Sequence, residues 1–160
     1  PLIAEQEYLQ FPMSPLLEAS LVPTLQQLIS DKTPVQALEL LLGLTRSSFA
    51  YKEDRENFGR SKPMIPDELF AYSHSDCEDR SALFYALVKT LLDLPMIVIA
   101  YPNHVTVAVA IQEAVRGKFV EASGQRYYIC DPTGPVNSTA LGIFPAEYEK
   151  LAYDIVVKHK

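Results

Sequence analysis

The chain has 160 residues, a formal charge of −6, 48% hydrophobic and 21% charged residues. That is the balance of one ordinary globular domain, which excludes intrinsic disorder; at this length roughly 70% of the unfolded surface can be buried without staples. No stretch is dense in Lys or Arg, which argues against nucleic acid or an anionic membrane surface as main partner, and the longest apolar run, closing at Tyr101, is far short of the ~20 residues a spanning helix needs.

Residues 1 to 13 carry prolines and no hydrophobic period, and read as an opening arm. The first residue is Pro1 rather than Met, and no basic-then-apolar signal pattern follows. Residues 1–160 therefore read as a single domain excised or processed from a longer polypeptide. Other domains of that parent, and a periplasmic, secreted or surface location, stay open. Ser14 with Pro15 predicts a short helix, and Ser20 predicts another with Pro23 in its first turn. Thr33-Pro34-Val35-Gln36 is a capping box with Pro at the first helical position. The helix it opens sets Leu38, Leu41, Leu42, Thr45 and Phe49 along one side, weakened at Gly43 by roughly 1 kcal/mol against Ala. Residues 51 to 76 are polar and rich in charge, Pro and Gly, and read as a loop of about 25 residues, longer than a compact domain carries without a functional reason.

Ser75-x-x-Glu78 and Asp76-x-x-Asp79 both mark a helix start. Leu83, Phe84, Leu87, Val88 and Leu91 then cover more than one face, so this helix is central and buried, and Asp93-Leu94-Pro95 ends it. Strand patterns follow over Met96 to Tyr101, Val105 to Ile111, Phe119-Val120 and Arg126 to Cys130, with turns at Arg116-Gly117-Lys118 and Ser123-Gly124-Gln125. Asp131-Pro132-Thr133-Gly134 closes the last of these, Pro145 to Leu151 suits a helical turn or two, and Tyr153 to Lys158 a final strand. Helices first and an antiparallel meander after them define the α+β class.

Three residues carry chemistry. Cys77 stands at the start of the central helix, where free N–H groups and the positive dipole end favour a thiolate. Asp76, Glu78 and Asp79 oppose that charge, and a cationic imidazole within reach would tip the balance. His104 begins a strand and Asp131 ends another. Nucleophile, base and orienting carboxylate are the parts of a Cys-His-Asp triad. Parity offers a check: His104 shares a face with Thr106 and Ala108, and Asp131 with Ile129 and Tyr127. Pairing that brings His104 to Asp131 turns Cys130 away, making it a small buried hydrophobe rather than a disulfide partner of Cys77. His74 could compete as base, but its polar loop places it at the surface. His159 in the basic tail reads as solvated. A metal set of His74, Cys77, His104 and Asp131 lacks the closely spaced ligand pair of structural zinc sites. Asp79 and Arg80 read as a helix-start ion pair or as packing for the loop, not as catalytic groups.

Asp76-Cys77-Glu78-Asp79-Arg80, the apolar helix after it, Tyr101-Pro102-Asn103-His104 and Cys130-Asp131-Pro132-Thr133 resemble the transglutaminase-like superfamily of cysteine enzymes. The resemblance covers about residues 71 to 135 and extends more weakly through Phe49 to Asp54 and Phe58-Gly59. It implies a papain-like fold: N-terminal helices, a central helix starting at the nucleophile and an antiparallel sheet. It implies catalytic Cys77, His104 and Asp131, a peptide or protein substrate, hydrolysis of peptide or amide bonds through a thioester, and no cofactor. The oxyanion donors it suggests are the Cys77 backbone N–H and a side chain, Tyr51 or Tyr72. Ser75 stands where the family commonly has Gly, and Val105-Thr106 replaces a small residue followed by Trp. The chain has no Trp, so the indole of crosslinking members is missing. That disfavours crosslinking acyl transfer more than hydrolysis and leaves an inactive binding module as the other alternative.

Overall fold

Local capping sets the long helices. The computed structural model describes residues 5–160. Thr33 accepts the Gln36 N–H while Gln36 accepts the Thr33 N–H, and helix α3 (Pro34–Ser47) follows as predicted. It buries Leu38, Leu41, Leu42 and Thr45 but stops short of Phe49, which packs edge-on against Phe70. Two expectations upstream are corrected. The opening arm contains helix α1 (Glu5–Leu9), too short to show a period, and it leads to buried Leu9 and Met13; residues 1–4 of the arm lie outside the described residues. The two helices expected from Ser14 and Ser20 are one, α2 (Pro15–Ile29), which runs through Pro23. Ser20 bonds back to the Leu16 carbonyl instead of capping. Burial of Leu25, with Leu17, Leu21 and Val22 against the core, offsets the one ladder bond that Pro23 removes.

The expected loop over 51–76 is also corrected. It holds strand β1 (Ala50–Tyr51), helices α4 (Asp54–Phe58) and α5 (Pro66–Ala71), and strand β2 (His74–Ser75), which pairs in parallel with β1. These elements are too short for periodicity to reveal, and long-range hydrogen bonds hold them: the Lys62 N–H donates to Asp54, the Met64 N–H to Asp79, and Ser14 to Asp67. Such tethers join residues that no local pattern connects.

Helix α6 (Cys77–Leu91) is buried at every position from Asp79 to Val88, the central helix expected from its apolar residues. It lies against a five-stranded antiparallel sheet of β3 (Met96–Tyr101), β4 (His104–Val109), β5 (Phe119–Ala122), β6 (Gln125–Cys130) and β7 (Asp154–His159). The order β5-β6-β4-β3-β7 corrects the simple meander twice: β4 pairs with β6 and leaves β5 on one edge, and the last strand pairs on the other edge beside β3. Val105, Val107, Val109 and Cys130 belong to the core shared with α6, while Ala108, Tyr127 and Ile129 form a second cluster. A single 3-10 turn (Ala146–Tyr148) occupies the predicted helical stretch before β7. The chain is thus a mixed fold of helices packed on an antiparallel sheet, with six α-helices among the described residues. No helix among them is long and apolar enough to cross a membrane.

Close backbone packing holds the segment before that turn. Gly142 has φ +74°, and a Cβ there would sit 2.6 Å from the Gly117 Cα. Its N–H donates to the Ile129 carbonyl and its carbonyl accepts the Lys118 N–H. Only glycine combines that conformation with that approach.

Candidate active site

His104 is placed by its turn. Pro102 and Asn103, the latter at φ +61°, reverse the chain so that Tyr101 of β3 pairs with His104, the first residue of β4. Asp131 follows β6, which pairs with β4 through Val107↔Cys130 and Ala108↔Ile129. His104 Nε2 lies 2.8 Å from Asp131 Oδ2, both side chains being buried. The other carboxylate oxygen, Oδ1, accepts the Thr133 N–H at 2.9 Å. A carboxylate only accepts, so Nε2 carries the shared hydrogen, and in the neutral ring the lone pair is then on Nδ1. Cys130 points into the opposite core layer and, like Cys77, is a free thiol.

Cys77 is the first residue of α6. Of the two possible caps, Asp76 is the one used: it accepts the Glu78 and Asp79 N–H groups, while Asp79 accepts the Asp76 N–H. The cap does not take the Cys77 N–H. One turn further along, Ser81 donates to the Val105 carbonyl, pinning the helix start against the strand residue after His104. The Val105 backbone N–H in turn favours a charge on the Cys77 sulfur. Cys77 and His104 line the same cavity of about 760 Å³.

The charge balance falls on the side of the thiol. Burial first, then Asp76, Glu78 and Glu53, push the Cys77 pKa up to about 12 against the Val105 N–H. With its pKa raised in this way, the sulfur could act as a nucleophile at neutral pH only if a base took its proton. Iodoacetamide labelling of Cys77 is therefore expected to climb about tenfold per pH unit from about pH 6 to about pH 10, because only the thiolate reacts. Glu53→Gln should raise the rate at fixed pH severalfold by removing one opposing charge. Mass spectrometry of the labelled protein reads both, and Cys130, with no exposed surface, stays unlabelled. A plateau already reached near pH 6 would mark a standing thiolate–imidazolium pair instead.

Tyr51 is half-exposed beside the site. It lines a second cavity with His104 and Asp131, and its hydroxyl donates to Glu53. Burial and that bond raise its pKa. Tyr72 is elsewhere: its ring packs edge-on against Phe58 and beneath the Lys62 ammonium, and it lines neither cavity, so it is removed from the oxyanion candidates. His74 pairs with Ser73 away from the cleft. His159 is bonded to Asp93 at 2.8 Å and edges against Tyr85, which corrects its reading as solvated.

Sequence reasoning missed most of the groups that frame Cys77, His104 and Asp131. Arg80 does not pair with Asp79. Its Nε donates to Ser75 Oγ at 2.9 Å, and its two terminal nitrogens to the Thr133 carbonyl at 3.2 Å and the Phe49 carbonyl at 2.7 Å, with the guanidinium over the Tyr51 ring. One buried cation thus ties together the segments carrying Cys77, Asp131 and Tyr51. Arg46 of α3 donates to the Asp131 carbonyl at 2.8 Å and to the Ser138 carbonyl at 2.6 Å from behind. Tyr148 stacks on the imidazole, centroids 4.9 Å apart, with Phe144 beside it. An arginine beside apolar helix positions was the one signal available, because an unpaired buried cation is costly.

The ligand-type metal set of His74, Cys77, His104 and Asp131 does not assemble. Among the described residues the carboxylates close enough to share a cation are Asp54, Asp76 and Asp79, with oxygens within 4.8 Å of one another. Burial raises all three pKa values, and each already accepts a backbone N–H. No protein family, curated protein or solved structure matches this chain.

Proposed function

We propose that this chain is a cysteine hydrolase of peptide or amide bonds, with a transglutaminase-like, papain-like fold and Cys77, His104 and Asp131 as its triad. The observation that carries the reading is the buried 2.8 Å bond from His104 Nε2 to Asp131 in a cavity wall shared with Cys77. That bond leaves Nδ1 as the basic atom. In the first step Nδ1 takes the Cys77 proton as the sulfur attacks the amide carbonyl carbon. The C–N bond then breaks, the proton passes from His104 to the leaving nitrogen, and a thioester remains. Water then attacks the thioester and gives its proton to His104 Nδ1; the C–S bond breaks, the acid leaves, and Nδ1 returns that proton to the Cys77 sulfur. The Cys77 N–H, left free by the cap, is the backbone oxyanion donor. Tyr51 serves as the side-chain donor once its hydroxyl turns from Glu53.

A thiol with a pKa pushed up to about 12 also favours a second reading, a module that keeps the fold and binds without turnover. Incubation with fluorogenic peptide amides, followed by acid quenching and mass analysis, separates the two. The hydrolase releases amine and carries an acyl group on Cys77 that the Cys77→Ala variant lacks. A panel of amides left intact, with no acyl adduct, overturns the hydrolase reading. Adding a primary amine reports crosslinking-type transfer if the amine is incorporated.

A further inference from the structure

The cleft around His104 has two chemically different halves. The cavity of about 760 Å³ on the Cys77 side is walled by Glu53, Asp54, Asp76 and Glu78, with Arg55 as its cation. The second cavity, of about 470 Å³, is walled mainly by Tyr51, Pro135, Ile143, Phe144, Pro145 and Tyr148; Glu147 and Asp131 also line it, the latter already bonded to His104. His104, Asn103 and Glu53 line both, so the two adjoin at the imidazole. Tyr51 and Ile143 expose apolar surface there, and the ring of Tyr148 covers one side of the His104 ring. A ligand spanning both halves meets aromatic carbon on one side of His104 and carboxylates on the other.

We infer that the substrate is a peptide segment that sets a large apolar side chain in the aromatic half and a basic side chain in the acidic half, on opposite sides of the reacting amide. The inference rests on the hydrolase reading for the position of that amide. Charge complementarity selects the occupant: Glu53 and Glu78, with the buried Asp54 and Asp76, outnumber Arg55 on that side, which disfavours an acidic peptide or a nucleic acid and favours Lys or Arg. The apolar half removes side-chain carbon from water, which favours Phe or Leu over Ser.

Binding to the Cys77→Ala variant tests this without turnover. Fluorescein-labelled peptides of one Ala/Gly framework carry Phe/Lys, Phe/Glu, Ser/Lys or Ser/Glu about a central amide, in both orders, and anisotropy gives their affinities. Phe/Lys is expected to bind at least roughly tenfold tighter than either Phe/Glu or Ser/Lys in its better order. The Lys-over-Glu ratio should shrink at high salt, and the Phe-over-Ser ratio should not. Tyr148→Ala should remove the Phe preference and keep the Lys preference; Glu78→Gln should do the reverse. If Tyr148→Ala fails to fold by circular dichroism, Ile143→Asp at the exposed wall tests the same half. Equal affinities, a preference for Glu, or no binding by any of the peptides overturns the inference. Wild-type cleavage of all four at one rate leaves the hydrolase standing and this inference fallen. Selective binding without cleavage sinks the hydrolase reading and leaves only the side-chain preferences of the two halves standing.

Discussion

On the proposed hydrolase reading, Asp131→Asn is expected to lower kcat/KM for amide hydrolysis roughly a thousandfold to ten-thousandfold while leaving the protein folded. Oδ1 of Asp131 accepts the Thr133 N–H, and Oδ2 faces His104 Nε2. In the variant the amide oxygen keeps the Thr133 bond, so the NH2 group turns toward the imidazole. A donor there requires Nε2 to accept, which moves the ring hydrogen to Nδ1. The atom that must take the thiol proton then has no lone pair. His104→Ala removes the base altogether and should fall at least as far. Steady-state hydrolysis with thermal unfolding as control measures both. Activity within tenfold of wild type in Asp131→Asn would remove the triad from the mechanism.

Arg80→Met should destabilise the fold by about 3–5 kcal/mol, since a long apolar side chain fills the space but leaves the Thr133 and Phe49 carbonyls and the Ser75 hydroxyl without their donor. Urea unfolding reads the loss. At low temperature, where the variant remains folded, kcat should fall more than KM rises, because the segments bearing Cys77 and Asp131 lose their shared tether. Arg80→Lys keeps the charge and reaches one acceptor or two, and should recover part of both quantities. A variant as stable and active as the parent would reduce Arg80 to filler. Arg46 donates to the Asp131 carbonyl of the same loop, so the two arginines together hold the backbone at Asp131 and Thr133.

Much of the site was legible because its parts are locally encoded. The Asp76–Asp79 box works within one helical turn, and it fixes Cys77 as the first helical residue whatever lies around it. Pro102-Asn103 reverses the chain over two residues and puts His104 at a strand start. Strand alternation then makes the faces of His104, Asp131 and Cys130 a matter of counting. The 51–76 segment was illegible for the opposite reason. Its helices of five and six residues carry too few apolar positions to show a period, and backbone bonds to Asp54 and Asp79 order them.

From the sequence alone came the helix start under Cys77, the turn before His104, the class of mixed helices and antiparallel strands, and the placement of Cys130 away from the cleft. Each depends on hydrogen bonds or alternation spanning a few residues. Only the assembled chain decided that the Cys77 thiol stays protonated, that Arg80 and Arg46 brace the Asp131 loop, that Tyr148 lies on the imidazole and that Tyr72 is excluded. Those outcomes depend on desolvation and on contacts between distant segments, and both arise only when the segments pack.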